Sequence, residues 1–319
     1  MLTPAGPIGD LGGLPAGGSN STTFLTSPHV APAATGISAA QASLGLGPPP
    51  TLVSTGFVTP HNYTTLVKNY QFNGVSLPTD WHAIPDTVFN YAPANVEYTA
   101  PMVVMNGSAV QMNIATTTDS GFLYKAGAIG TISGGTGTTI GTPTYFFTNG
   151  RVRYRAKMPS FSGGANADGL WPACWMTSLA GLSPADEIDI CEMNMTLPTT
   201  AWGTLHQWKP LPTWTSNGGT SFNGTISSNA SAAFHVYEAV WEPGMVSWAV
   251  DNVVFAQYTH AQATAAGNNW GVDTAQEVYL IANLAVTPGA YFGGATYSPA
   301  NNAQLPNCNL QISDVLVYQ

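Results

Sequence analysis

Short runs of β-branched and aromatic residues, separated by turn-forming residues, are the feature that most constrains the fold of this chain. They recur at residues 101–105, 109–114, 150–158, 236–242, 246–250, 277–284 and 310–318, with Gly, Asn, Pro and Asp between them. Many short strands at such spacing are typical of an antiparallel sandwich or barrel. No stretch has the 3.6-residue period of a long helix, so the sequence predicts an all-β fold.

Two of the intervals are short enough to predict hairpins. Residues 241–244 (Trp-Glu-Pro-Gly) join two runs, and Asp251-Asn252 close the second of them. Gly, Asn and Asp tolerate the left-handed backbone that tight hairpin turns require.

The composition limits the partners of the chain. Its 319 residues include 34 Gly and 24 Pro but only 7 Lys and Arg, and the net charge is −9. A surface for nucleic acid requires clustered cations, so we do not expect a nucleic-acid partner. No apolar run approaches the roughly 20 residues of a membrane-spanning helix, so no membrane partner is expected either.

One segment nevertheless concentrates the cations, because it contains Arg151, Arg153, Arg155 and Lys157. These residues alternate with apolar ones in the two-residue period of a strand. The pattern predicts a strand with a solvated basic face, and a role in a ligand cleft for one of the arginines stays open.

The chain changes character near residue 55. Residues 1–55 carry one formal charge, Asp10, and are rich in Gly, Pro, Ala, Ser and Thr. Such a segment buries too little apolar surface to offset the entropy of ordering, so we interpret it as a low-complexity linker or tether. Residues 56–319 are the predicted folded domain. Attachment of the tether to a larger assembly stays open.

The cysteines Cys174, Cys191 and Cys308 are an odd and scattered set. Without a paired spacing they predict buried free thiols rather than disulfides or a metal site. No histidine pair has metal-ligand spacing, so the residues predict neither a metal nor a cofactor.

Acidic residues are concentrated at one place, where four of the 16 fall within residues 186–192 and alternate with apolar residues as on a strand. On a regular strand Glu187 and Asp189 share a face and Glu192 points to the opposite one. One extra residue, a β-bulge at Ile190-Cys191, returns Glu192 to the face of the other two. Three adjacent carboxylates repel one another and raise at least one pKa, which indicates a catalytic site rather than a structural one.

Hydrolysis of a glycosidic bond requires such a set. One carboxylate attacks the anomeric carbon while a second, protonated one donates to the leaving oxygen, at a separation of about 5–5.5 Å in retaining enzymes. Strand rise alone separates the Cα atoms of Glu187 and Glu192 by about 13 Å. Sheet curvature and inward-leaning side chains must therefore close the gap.

The segment Glu187-Ile-Asp-Ile-Cys-Glu192 is similar to the E-x-D-x-x-E signature of glycoside hydrolase family 16, in the bulged form typical of its laminarinase-like members. Residues 149–159, 169–175, 203–206, 279–286 and 312–319 resemble further segments of the family in the same order. The resemblance covers roughly residues 56–319.

This resemblance implies a two-sheet antiparallel β-sandwich, a concanavalin A-like jelly roll, with a concave cleft for a β-glycan that is cleaved internally with retention. By position, Glu187 would be the nucleophile, Glu192 the general acid/base and Asp189 their hydrogen-bonding partner. The laminarinase-like form implies β-1,3-glucan as substrate. A structural calcium ion, known among relatives, stays open.

Three further residues are candidates for substrate binding. Trp171 and Trp175 lie four apart on the strand before the acids, where aromatic faces would stack on sugar rings; a pair of core tryptophans is the alternative. His206 shares strand parity with Trp202 and Thr204. The family places a residue near this position at the sugar next to the cut, and a structural histidine is the alternative.

Two positions depart from the family pattern. Residues 183–186 (Ser-Pro-Ala-Asp) stand where many relatives have Trp or Gly, and Ala128 stands where a sugar-binding arginine is expected. Both departures leave the subsite specificity open.

Two other functions stay open. A polysaccharide-binding or adhesion module, for example of a virion tail or surface appendage, would keep the fold with little or no turnover. Transglycosylation would use the same covalent intermediate with a sugar in place of water. In each case we expect an extracellular or surface-associated protein, although the N-terminus lacks the regions of a standard signal peptide.

Overall fold

The computed structural model describes residues 48–84, 96–118, 121–134, 141–178, 185–208, 216–267 and 277–319. Nearly all regular structure in these residues is β-strand. Some strands bury alternate side chains, as Val110–Thr116 does, because one face packs on the core and the other is solvated. Others are buried on both faces, as is most of Val278–Val286, because they run through the middle of a sheet.

The strands in the described residues are numbered in chain order. They are β1 (Leu66–Gln71), β2 (His82–Ala83), β3 (Val96–Tyr98), β4 (Val103–Met105), β5 (Val110–Thr116), β6 (Tyr124–Ala126), β7 (Ala128–Gly130), β8 (Ile132–Ser133), β9 (Thr142–Pro143), β10 (Gly150–Lys157), β11 (Leu170–Ser178), β12 (Ala185–Glu192), β13 (Thr200–Trp208), β14 (Ser216–Thr225), β15 (His235–Glu242), β16 (Met245–Val250), β17 (Val253–Thr259), β18 (Val278–Val286) and β19 (Asn309–Tyr318).

Helical structure is confined to short pieces. The described part contains the α-helix α1 (His260–Ala265) and short 3₁₀ turns at Ala100–Met102, Ser162–Gly164, Tyr291–Gly293 and Pro299–Asn307. Within the same residues, no helix has the length and apolar character needed to cross a membrane.

Two sheets share one hydrophobic core. A ten-stranded sheet has the order β17-β16-β15-β10-β19-β5-β6-β3, with β1 on β19 and β4 on β5, and a seven-stranded sheet has the order β14-β13-β12-β11-β18-β7-β2. The core joins Tyr154 and Trp248 of the larger sheet to Cys174 and Ile188 of the smaller one. The predicted two-sheet sandwich is confirmed. It is mixed rather than purely antiparallel, because β3 pairs with β6 in parallel.

Both predicted hairpins are present. Pro243 and Gly244 join β15 to β16, with Gly244 at φ 80°. Asp251 and Asn252 join β16 to β17 with φ values of 49° and 67°. Two consecutive left-handed residues make the type I′ turn, whose twist matches that of the flanking strands.

The basic segment forms β10, but the prediction of a solvated basic face is wrong for Arg151. The side chain of Arg151 is 1% exposed and forms an ion pair of 2.5 Å with buried Glu238 of β15. Arg153 contacts the same carboxylate at 2.9 Å, whereas Arg155 is exposed. Because β10 belongs to the ten-stranded sheet, the structure places these arginines away from the sheet that carries the acidic cluster.

Residues 48–58 cover Arg151 and explain its burial. The carbonyl of Pro50 accepts a hydrogen bond of 2.8 Å from Arg151 Nη1, and Val53 forms a β-bridge with Val253 of β17. Leu52 packs in a small cluster on the same sheet. The predicted boundary at residue 55 therefore falls inside a segment that packs on the sheet. The linker prediction for residues 1–47 lies outside the described residues.

The three cysteines are buried free thiols, as predicted. Cys174 and Cys191 lie opposite each other on β11 and β12, with both side chains in the core.

Candidate active site

The acidic segment forms β12, which lies between β11 and β13 in the seven-stranded sheet. Its register on β13 shifts between Asp189 and Glu192, so that Ile190 and Cys191 together oppose one residue, Gly203. The register on β11 shifts at the same place. The predicted β-bulge is therefore confirmed.

An indole from the other sheet supports the bulge from the core side. Trp248 Nε1 donates a 2.8 Å hydrogen bond to the carbonyl oxygen of Asp189. A Cβ atom on Gly203 would lie 2.4 Å from the Trp248 ring, so this approach requires glycine at position 203. The bulge is thus built into the packing between the sheets.

The bulge brings the three carboxylates to one face. Asp189 lies within hydrogen-bonding reach of both Glu187 and Glu192, while Ile188 and Cys191 are buried in the core behind them. Glu187 is the most exposed of the three, with a side chain 20% exposed against 4% for Asp189. The structure therefore brings together all three acids that the sequence singled out.

Glu192 is held by neutral donors. Trp171 Nε1 donates to Glu192 Oε1 at 3.0 Å, and the Thr204 hydroxyl donates to Oε2 at 3.3 Å. Burial and the nearby charge of Asp189 raise the pKa of Glu192 to about 8, against the opposing effects of His206 and of the two donors. A carboxyl group with this pKa keeps its proton at neutral pH.

Asp189 lies between the two glutamates and is 3% exposed. Burial raises its pKa, and hydrogen bonds to Glu192 and Glu187 oppose that effect. Two carboxyl groups in such contact share protons, because the bond requires one of them to be protonated. Asp189 and Glu192 therefore titrate together.

His206 of β13 lies beside the nucleophile candidate. Its Nε2 atom is 3.1 Å from Asp189 Oδ2 and 3.9 Å from Glu187 Oε1. The register that pairs Glu187 with His206 places both side chains on one face of the sheet. The structure thus brings His206 to the acids.

One group of side chains in the described residues has the spacing of metal ligands. It consists of Glu187, Asp189 and His206, because one ligand atom of each lies within 4.8 Å of the others. Metal ligands must be deprotonated. The raised pKa of Asp189 favours its protonated form. A cation bound here would therefore have to displace that proton.

The two tryptophan candidates have different surroundings. Trp171 donates to Glu192, as described, and therefore borders the acids directly. Trp175 pairs with Asp189 across β11 and β12, and its Nε1 donates to Asn283 Oδ1 of β18 at 2.7 Å. Both rings are partly exposed, so neither is the fully buried core tryptophan of the alternative interpretation.

An aromatic cluster beside Glu192 was not predicted from the sequence. The Phe292 ring lies 5.9 Å from the Trp171 ring and 5.4 Å from the Trp202 ring, with Tyr291 5.5 Å from Trp171. Phe292 has φ 56°, an uncommon conformation for a bulky residue. Strand parity already placed Trp202 on the site face, but no periodic pattern marks residues 291–292.

Ala128 stands at the position where the family resemblance leads us to expect an arginine. Ala128 of β7 is opposite Asn283 of β18 and is 1% exposed. Asn283 accepts a hydrogen bond of 2.7 Å from the Trp175 indole and donates one of 2.9 Å to the Tyr98 hydroxyl oxygen. A neutral hydrogen-bonded chain therefore stands beside Ala128. The other departure, at residues 183–186, has its side chains outside the described residues.

Comparison with known proteins assigns this fold and site to a class. The sequence model of the glycosyl hydrolases family 16 matches residues 92–287. The chain is 36% identical over 176 residues to glucan endo-1,3-beta-glucosidase A1 of Niallia circulans, covering 53% of this chain and 24% of that protein. It is 32% identical over 158 residues to a beta-glucanase of Rhodothermus marinus, covering 46% and 50%.

Solved structures have the same fold. The endo-beta-1,3-glucanase of Pyrococcus furiosus superposes with a TM-score of 0.63 at 23% identity, over 85% of this chain and 98% of that one. The laminarinase of Rhodothermus marinus gives 0.61 at 22% identity, over 82% and 99%.

The chain belongs to glycoside hydrolase family 16. The matched part of the chain spans between 24% and 56% of the length of the curated relatives. These relatives carry the names of glucanases, which gives no support to the adhesion alternative.

Proposed function

We propose that this chain is an endo-acting, retaining β-glycanase that hydrolyses β-1,3-glucan. The observation that carries the proposal is the bulge in β12, which turns Glu192 to the face of Glu187 and Asp189. Family membership and the glucanase relatives support the choice of substrate.

Glu187 is the proposed nucleophile. It is the most exposed of the three acids, so the anomeric carbon of a bound sugar can approach its carboxylate oxygen. Asp189 beside it accepts or donates a hydrogen bond as the charge on Glu187 changes. His206, 3.9 Å from Glu187, is the proposed contact to the sugar that becomes covalently attached.

Glu192 is the proposed general acid/base. Burial holds its pKa at about 8, so at neutral pH it carries the proton that the leaving oxygen requires. The Trp171 indole fixes one carboxyl oxygen and borders the sugar on the leaving side. After the first half-reaction the ionised Glu192 takes a proton from a water molecule as the water oxygen bonds to the anomeric carbon. The bond from that carbon to Glu187 breaks, which releases the sugar and restores the Glu187 carboxylate.

This double displacement uses protein groups only, so the proposal includes no cofactor. We further propose that Trp171, Trp175 and His206 line an open cleft on this face of the seven-stranded sheet, and that the protein acts outside the cell or on a surface assembly. The partial exposure of both indoles supports the cleft.

The test is digestion of laminarin, lichenan, agarose and a galactan by wild type, Glu187→Gln and Glu192→Gln. Glu242→Gln is a matched control, because Glu242 lies on β15 of the other sheet. We expect reducing ends from laminarin with wild type and the control only, and NMR should show the β-anomer first. Binding without shortening by both wild type and Glu187→Gln would indicate an adhesion module. Products longer than the substrate would indicate transglycosylation.

A further inference from the structure

A second set of catalytic residue types lies away from the acidic cluster, at one end of the ten-stranded sheet. Ser228 Oγ is 3.1 Å from His235 Nε2, and His235 Nδ1 is 2.6 Å from Asp251 Oδ2. This is the connectivity of a serine nucleophile, a histidine base and an aspartate that orients the base.

Backbone structure fixes the aspartate. Asp251 occupies the first position of the type I′ turn between β16 and β17. Its Oδ1 atom accepts a 2.9 Å hydrogen bond from the Val236 N–H, and its own N–H donates to the Val236 carbonyl at 2.8 Å. The carboxylate therefore has one oxygen held by the backbone and the other aimed at His235.

The histidine is buried and the serine is accessible. The side chain of His235 is 7% exposed, at the start of β15. Ser228 is exposed, in the connection between β14 and β15. Backbone bonds of 2.8 Å from Ile226 to Thr199 and from Ala230 to Pro198 hold this connection on both sides of Ser228.

The hydrogen bonds are consistent with one tautomer. The Asp251 carboxylate, at 2.6 Å, accepts a hydrogen bond from the Nδ1–H group of His235. Nε2 is then left with its lone pair, which accepts from the Ser228 hydroxyl. In the part of the chain that the structure describes, no oxygen accepts from the N–H groups of Ser228 and Asn229. Both N–H groups belong to the serine or to the residue after it, and in the proposed reaction they are the candidates to bind the oxyanion.

We propose that Ser228, His235 and Asp251 form a second active site, which hydrolyses short-chain acyl esters. Ser228 and His235 are the catalytic residues, and Asp251 is a positioning residue. The neighbours of Ser228 in the turn, Ser227 and Asn229, are polar. A long acyl chain would find little apolar contact there, so an acetyl-sized group is the substrate that the turn accommodates.

The reaction proceeds by acyl transfer to the serine. Nε2 of His235 takes the hydroxyl proton as Ser228 Oγ bonds to the ester carbonyl carbon. Breakage of the bond to the alcohol oxygen follows, and the imidazolium returns its proton to that oxygen. Water then attacks the acyl-serine with His235 as base, which releases the carboxylic acid and restores Ser228.

The first experiment is labelling of the full chain with a fluorophosphonate, followed by peptide mapping. We expect the label on Ser228 in wild type and its loss in Ser228→Ala. Ser227→Ala is the matched control, because this neighbouring serine is also exposed, and it should keep the label. No label on wild type, or equal labelling of Ser228→Ala, would overturn the proposal.

The second experiment measures p-nitrophenyl acetate hydrolysis above the buffer rate. Ser228→Ala should abolish the excess rate, and His235→Gln should reduce it by about 10²-fold or more. Asp251→Asn keeps the left-handed turn, because Asn tolerates positive φ, so a similar loss there reports on the carboxylate rather than on folding. Glu242→Gln, which changes neither site, should hydrolyse the ester at the wild-type rate. An unchanged rate in Ser228→Ala would refute the second site without affecting the proposed glycanase.

Discussion

Strand β10 of the ten-stranded sheet and strand β12 of the seven-stranded sheet both carry buried ionisable residues, but these residues have opposite kinds of partners. In β10, Arg151 and Arg153 meet the carboxylate of Glu238 at 2.5 and 2.9 Å, so opposite charges compensate each other. In β12, Glu192 is bonded by an indole and a hydroxyl, both neutral. A carboxylate that is paired with a cation stays ionised and forms a fixed structural contact. A buried carboxyl group without a cationic partner keeps its proton and can donate it in a reaction.

The largest expected effect is the loss of turnover in Glu192→Gln. The amide keeps the shape, its oxygen accepts the bond from Trp171, and its NH2 group can donate to the Thr204 hydroxyl oxygen, but it cannot donate a proton to the leaving oxygen. We expect hydrolysis of laminarin to fall at least about 10³-fold at pH 6 with no loss of thermal stability. Turnover within tenfold of wild type would show that Glu192 is not the general acid.

The reciprocal change, Glu238→Gln, should affect stability and leave chemistry alone. It leaves Arg151 buried without a counter-charge, which should lower the free energy of unfolding by about 3–5 kcal/mol. Arg155→Gln is the control, because Arg155 is exposed and should lose less than about 1 kcal/mol. Denaturant titration measures both, and turnover per folded molecule should be unchanged. A large loss of turnover in folded Glu238→Gln would break the contrast between the sheets.

The sequence predicted the acidic strand more completely than the basic one. Spacing and strand parity show that Glu192 reaches the face of Glu187 only through a bulge, so one local argument suffices. The burial of Arg151 depends on Pro50 and its neighbours, more than 90 residues away in the chain. A Gly- and Pro-rich segment has no periodicity that indicates which sheet it covers.

The aromatic cluster and the second site were missed for a similar reason. Phe292 reaches Trp202 through a left-handed backbone that only the surrounding structure imposes. Ser228, His235 and Asp251 are common residue types whose contact depends on how the β14–β15 connection, which crosses between the sheets, meets the turn between β16 and β17. The neutral partners of Glu192 could not be read from the sequence either, because they follow from the strand order β11-β12-β13.

The uncompensated acid should also make stability depend on pH. Burial raises the pKa of Glu192 from 4.5 to about 8, so between these values the folded state binds more protons than the unfolded state. Stability therefore falls as pH rises through this window, and Glu192→Gln lacks this contribution. Relative to wild type, the variant should therefore gain stability as the pH rises from 5 to 8. Denaturant titration of both proteins at pH 5 and pH 8 measures this effect. The same difference in free energy of unfolding between variant and wild type at both pH values would contradict the prediction. Glu238→Gln is the control that should show no such gain.

The smallest expected effect tests the neutral donor itself. Trp171→Phe keeps an aromatic ring beside Tyr291 and Phe292 but removes the N–H that bonds Glu192. That bond favours the ionised carboxylate, so its loss should raise the pKa of Glu192 further. The alkaline limb of kcat/KM against pH should move upward accordingly. Trp175→Phe removes an indole bond to Asn283 instead and should leave the limb in place. Equal shifts in both variants would mean that the limb reports the whole cluster rather than Glu192.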